Sequence, residues 1–174
     1  GDRIAGFSTA RLLEAAGRRA IFSGDTIVAR DYWDRPELPR AWGRFVMSMA
    51  PIWWFLISKG VRTYLYLPLY FRDFWPRHDR ATPPEAQATL DAFARAKYPR
   101  EYRDGLVAFP DPHGNLRPEF AAVPAHRTTD AHARFFLNCN PDFARGSELA
   151  CLAEVREENL TRAARRMVGL ARVR

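Results

Sequence analysis

Apolar and polar residues alternate from Arg3 to Leu13. Ile4, Gly6, Ser8, Ala10 and Leu12 fall on one side, and Ala5, Phe7, Thr9, Arg11 and Leu13 on the other, which predicts a strand. Glu14–Arg18 follows as a turn, with Gly17 suited to a positive φ, and Arg19–Ala29 reads as the antiparallel return strand. Gly24-Asp25 inside that strand points to a bulge or to a close backbone approach. Arg30–Pro39 is charged and proline-rich. From about Leu38 to Ser58, Trp42, Phe45, Val46, Met49, Trp53, Leu56 and Ile57 recur at steps of three and four, which predicts a long apolar helix kinked at Pro51 and closed at Gly60. Val61–Leu67 then alternates and predicts a strand ending at Pro68. The stretch Ala20–Leu67 is thus expected to be a strand, a turn, a helix and a second strand that returns parallel.

Beyond this unit the pattern is shorter-ranged. Leu69–Arg80 is aromatic and basic, a short helix or a loop covering the core. Thr82-Pro83-Pro84-Glu85 has the form of a capping box ahead of a helix to about Lys97, with Ala86, Leu90, Phe93 and Ala94 facing inward. Leu106–Phe109 reads as a strand and Pro110–Pro118 as turn material. Thr128 or Thr129 is placed to cap a helix from about Asp130 to Asn138. Glu148–Val155 reads as a strand, and Arg156–Leu170 as a final helix.

Composition narrows the functional classes. In 174 residues, 47% hydrophobic and 13% aromatic content suffices for one sizeable core. The net charge of +7 is carried by arginine, the only lysines being Lys59 and Lys97, and favours anionic partners. Basic residues form no long block, so a sharp nucleic-acid footprint is missing. Cys139 and Cys151 form no CxxC and read as unpaired thiols in a reducing compartment. His78, His113, His126 and His132 make no HxxxH or HExxH pair, so no metal is expected. Phe45–Ser58, the longest uncharged run at 14 residues, is shorter than the roughly 20 needed to span a bilayer. No signal peptide is visible, and a cytoplasmic location is expected. No G-x-S-x-G elbow is present. Asn159-Leu160-Thr161 falls in an expected helix and is set aside as a glycan site.

Hairpin, charged turn, long helix and following strand, in that order, resemble the core of the GNAT superfamily of acyl-CoA-dependent N-acyltransferases. The matching stretch is Val28-Ala29-Arg30-Asp31-Tyr32-Trp33-Asp34-Arg35-Pro36-Glu37-Leu38-Pro39-Arg40, where the family has Val, a few residues and then R/Q-x-x-G-x-G/A leading into a helix. Asp31-Tyr32, two residues and Arg35 look like the family's Glu-Tyr-Arg-Gly-Arg, and KGVRTYLYLP looks like its next strand. The sequence departs at three places: Pro36 and Leu38 stand at the glycine positions and Trp33 at the Arg/Gln position.

The resemblance implies an α/β (mixed α+β) fold with a central mixed, mostly antiparallel sheet and flanking helices. It spans residues 1–75, with 76–174 as a C-terminal extension completing the sheet and helical layer of a single domain. The chain opens GDRIAGFSTARLL where the family has earlier strands and helices, so a piece lacking its N-terminal part is expected. The implied co-substrate is acetyl-CoA or another acyl-CoA. Its pyrophosphate would sit on the turn and helix N-terminus near Arg30, Arg35, Leu38 and Arg40, and its pantetheine arm beside Ile27 and Val28. Arg30, Arg35 and Arg40 would supply as charge what the prolines, lacking an N–H, cannot supply as backbone donors. Tyr70 is the implied acid for the leaving thiolate, with Tyr66 second, and Asp25 the implied carboxylate, with Asp31 beside it. The expected acceptor is a small-molecule or protein amine, and the expected assembly a homodimer. The alternative is a non-enzymatic basic α/β module that binds nucleic acid or an anionic membrane surface through its arginines; both partners rank behind the amine.

Overall fold

Ala16 and Gly17, with φ of 49° and 68°, turn the chain between β1 (Gly6–Ala15) and β2 (Arg18–Val28) in the computed structural model, which describes residues 4–33, 35–109, 115–116, 123 and 128–170. Two successive positive-φ residues match the right-handed twist of a two-residue hairpin. The loop is therefore tighter than the five residues expected, and pairing continues to Ala15 opposite Arg18. Further along, Ala10 pairs with Ser23 but Ser8 pairs with Thr26, so β2 carries one extra residue at Gly24-Asp25. The expected bulge is there, and so is the close approach: a Cβ on Gly24 would lie 2.3 Å from Thr9 Oγ1.

The long helix expected over Leu38–Ser58 is two elements. Helix α1 (Glu37–Met47) ends at Ser48, and β3 (Ile52–Ser58) follows. Pro51 offers no N–H to continue the helix, and Ile52-Trp53-Trp54-Phe55-Leu56-Ile57 is β-branched and aromatic. Its all-round apolar character is that of a strand covered on both faces: Trp54 and Leu56 pack into one core cluster, Phe55 into the other. The strand expected over Val61–Leu67 is correspondingly helical, as α2 (Val61–Tyr64) and α3 (Tyr66–Tyr70). Buried Val61, Tyr64 and Leu67 lie three apart, a helical stripe rather than an alternation, and Gly60 is the extended residue that opens α2 rather than the cap that closes a helix. The order strand, turn, helix, strand survives with a different second strand, because β2 and β3 pair in parallel.

Then come β4 (Phe74–Trp75), α4 (Pro84–Lys97), β5 (Tyr102–Arg103), β6 (Leu106–Ala108), α5 (Ala131–Cys139), β7 (Ser147–Val155) and α6 (Arg162–Val168). Among the described residues they make an α+β fold around a seven-stranded sheet of order β1-β2-β3-β7-β6-β5, with β4 also on β7. All pairings are antiparallel except β2 with β3. One face carries α1, α2, α3, α5 and α6 over Ile21, Trp54, Leu56, Cys151 and Ala153; the other carries α4 over Phe22, Phe55, Ala150 and Leu152.

Three helix starts differ from expectation. No side chain caps α4, and Glu85, instead of closing a box with Thr82, bonds Arg18 at 2.5 Å. Helix α5 is capped by Asp130, whose carboxylate accepts from the Ala133 N–H at 3.0 Å, one residue beyond the threonines. The final helix begins at Arg162 rather than Arg156, capped by Thr161, because Asn159 is tied to the backbone of Asp73 and Glu154. That role buries Asn159 and removes it from a glycan acceptor's surface. Of the expected Pro110–Pro118 turn, only residues 115–116 fall among those described.

Candidate functional site

Strands β2 and β3 stay paired for three residues only, Ala20–Phe22 against Trp53–Phe55. Both continue in the same direction without pairing, β2 to Val28 and β3 to Ser58. At the point of parting, the Trp54 indole N–H donates to Ser23 Oγ at 2.7 Å. Beyond it a cavity of about 1170 Å³ opens, lined by Ser23, Gly24, Asp25, Thr26 and Val28 from β2 and by Leu56, Ile57 and Lys59 from β3 and its end. Among the described residues the facing edges of β2 and β3 have no strand partner here, and such an edge offers donors and acceptors to an extended ligand.

The start of α1 stands at one side of this cavity. Trp33, Arg35, Glu37, Leu38, Pro39 and Trp42 line it. The Trp33 indole N–H donates to the Val28 carbonyl at 2.9 Å, which fixes the turn to the end of β2. Among the described residues no side chain caps α1. With Pro36 and Pro39 lacking N–H groups, Glu37 and Leu38 supply the first-turn amides, and the helix dipole favours an anion there. The Arg35 guanidinium lies over the Tyr32 ring at 5.2 Å.

Behind the parting, on the α4 side of the sheet, sits a polar group that the sequence does not reveal. Glu148, on β7, is only 7% exposed and lines the cavity, with Lys59 Nζ 3.3 Å from its carboxylate. Burial pushes the Glu148 carboxyl above the usual range; Lys59 pulls it part of the way back, and Asp25 adds to the rise. Tyr98 closes this end, its phenol held protonated by burial and then by Glu148 and Asp25. Lys97 lies with Nζ over the Phe22 and Tyr98 rings, at 4.3 and 4.9 Å. On the opposite face of the sheet, Tyr66 and Tyr70 of α3 stack at 5.7 Å and line the same cavity. Burial, then the neighbouring Tyr66, pushes the Tyr70 phenol up.

Of the residues singled out from the sequence, Asp25, Val28, Arg35, Leu38, Tyr66 and Tyr70 are brought together around one cavity. Ile27, Arg30, Asp31 and Arg40 are not among its lining; Ile27 is 57% exposed, opposite Phe7 of β1. Glu148, Lys59, Lys97 and Tyr98 belong to the site and escape sequence reasoning. An acid at the head of an apolar strand, and two lysines in an arginine-rich chain, are the signals that point to them. Among the described residues no cluster of three or more His, Cys, Asp and Glu side chains is placed to hold a metal ion, and no helix is long and apolar enough to cross a membrane. Cys139 and Cys151 are free thiols. No protein-family model, curated protein or solved structure matches the chain.

Proposed function

We propose that the chain is an acyl-CoA-dependent N-acyltransferase, taking acetyl-CoA or another acyl-CoA as donor and an amine as acceptor. The observation that carries this reading is the parting of β2 and β3 around the cavity. Parallel strands that stop pairing in mid-course leave backbone groups for the amide-bearing pantetheine arm to join as an added strand. The bulge at Gly24-Asp25 re-aims β2 at the same place.

The pyrophosphate belongs at the first turn of α1, where two amides, the helix dipole and Arg35 are available. The fit is good along the strand and poorer at the turn, since Pro36 and Leu38 stand where close phosphate approach favours glycine. The donor is therefore held more by its arm than by its phosphates. An amine attacking the thioester must lose a proton. Glu148, with a raised pKa and a place in the cavity wall, is the carboxylate suited to accept it, with Asp25 beside it. Tyr70, protonated throughout the physiological range, is suited to protonate the departing thiolate. The acceptor enters from the α4 side, past Tyr98 and Lys97.

The test is thiol release from a panel of acyl-CoAs with a panel of amines. Acyl-CoA-dependent release that depends on the amine supports the reading. Absence of both turnover and any rise in melting temperature with acyl-CoA overturns it. In that case the basic surface is to be assayed instead against nucleic acid and anionic vesicles, where binding falling steeply with salt marks a non-enzymatic anion-binding module.

A further inference from the structure

Lysine is scarce in this chain, and both lysines are in one place. Of 27 basic residues only Lys59 and Lys97 are lysine, and both line the cavity between β2 and β3. Arginine cannot lose its proton at any relevant pH, whereas a lysine amine can become a nucleophile once desolvated. The two amines differ in surroundings. Lys59 Nζ is paired with the buried Glu148 carboxylate at 3.3 Å. Lys97 Nζ rests on the faces of Phe22 and Tyr98. Phe22 is the last β2 residue paired with β3, so this amine stands at the apex of the parting.

We infer that Lys97 is a nucleophilic lysine of this cavity and a covalent acyl-accepting site of the chain itself. For the identity of its donor this rests on the acyl-CoA reading above. The neutral Nζ attacks the carbonyl carbon of the thioester; a C–N bond forms, the C–S bond breaks, and the proton given up by nitrogen ends on the departing sulfur. The products are an amide on Lys97 and free thiol, with no other reactant.

Desolvation is the larger cause lowering the Lys97 pKa, and the Arg11 guanidinium on β1 adds to it. Opposing these are the ring faces, which favour a cation, and the carbonyl ends of α4, whose last residue is Lys97. Asp25 and Glu148 belong to the same cavity wall. Acylation would remove the charge and lengthen the side chain over Phe22 and Tyr98, where an incoming amine must pass, so it also bears on turnover.

The experiment is mass-spectrometric mapping of acylated lysines after exposure of the full chain to acetyl-CoA and, separately, to a small water-soluble acetyl ester that needs no coenzyme site. Both are run at graded pH on the native protein and on K97R and K59R. The expected result is one acetyl group on Lys97 from either donor, lost in K97R and retained in K59R. Lys97 should label severalfold faster than Lys59, with the rise in rate beginning at a lower pH than for a free lysine amine. Labelling of Lys97 by the ester but not by acetyl-CoA keeps the nucleophile and overturns the acyl-CoA reading. Equal labelling of both lysines, or preference for Lys59, by the ester overturns the inference.

Discussion

The indole of Trp54 holds the hydroxyl of Ser23 at 2.7 Å at the last point where β2 and β3 are joined. One residue earlier the strands share backbone pairing; one residue later they flank a cavity. The contact is partly buried, so an N–H left there without its acceptor loses most of a hydrogen bond. Ser23→Ala and Trp54→Phe are each expected to cost about 1–2 kcal/mol, with a coupling of about 1 kcal/mol between them. Urea midpoints of the two single variants and the double variant measure this; strictly additive losses would deny the contact any role at the apex.

Gly24 is dictated by its neighbour across the bulge. A methyl group there meets Thr9 Oγ1 at 2.3 Å, but Thr9 Cβ at an ordinary 3.4 Å. Gly24→Ala is therefore expected to destabilise the hairpin by about 1–3 kcal/mol, and Thr9→Ala in the same chain to restore most of the loss. Thermal melts of both decide it. No rescue would mean that the bulge needs glycine for its backbone.

Asn159 joins three parts of the chain. Its carbonyl oxygen accepts from the Asp73 N–H, and its amide donates to the carbonyls of Asp73 and Glu154, each at 2.8 Å. At 4% exposure no water replaces these bonds easily. Asn159→Ala is expected to cost about 2–4 kcal/mol, and Asn159→Asp a comparable amount, because a carboxylate has no hydrogens for the two carbonyls. Chemical denaturation reads both; an unaffected Asn159→Asp variant would contradict the donor assignment.

Glu148 gives the protein a pH signature. Its folded pKa lies above its unfolded value of about 4.3, so the folded chain binds more protons between the two. Its contribution to stability is full below the unfolded value and is lost as pH rises through the folded one. Glu148→Gln is expected to flatten that decline and to leave neutral-pH stability equal or higher, while removing the base and lowering acyl transfer about 10²-fold or more. Stability against pH from 4 upward, roughly the carboxylate range, checks the first half; a steeper decline in the variant would reverse the sign.

The hairpin, its bulge and the inward face of α4 are legible in the sequence, because each is a local period or a local glycine. Strand β3 is not, since an apolar run such as Ile52–Ile57 satisfies a buried helix and a doubly covered strand alike, and Pro51 suits a kink as well as a stop. Reading the run as helix forces Val61–Leu67 into the place of the missing strand. Strand β2 and the start of α1 are where the pattern puts them, and both line the cavity. Its polar end is illegible for a topological reason: Lys59, the adjacent pair Lys97-Tyr98, and Glu148 are far apart along the chain and meet only when β7 inserts between β3 and β6.

Hydrogen exchange with and without acyl-CoA tests the central claim most directly, because it reads the parted strand and the helix turn separately. The account predicts slowed exchange over Ser23–Val28 and over Glu37 and Leu38, with β1 amides outside the bulge unchanged. Unaltered exchange across Ser23–Val28 at saturating acyl-CoA would contradict it.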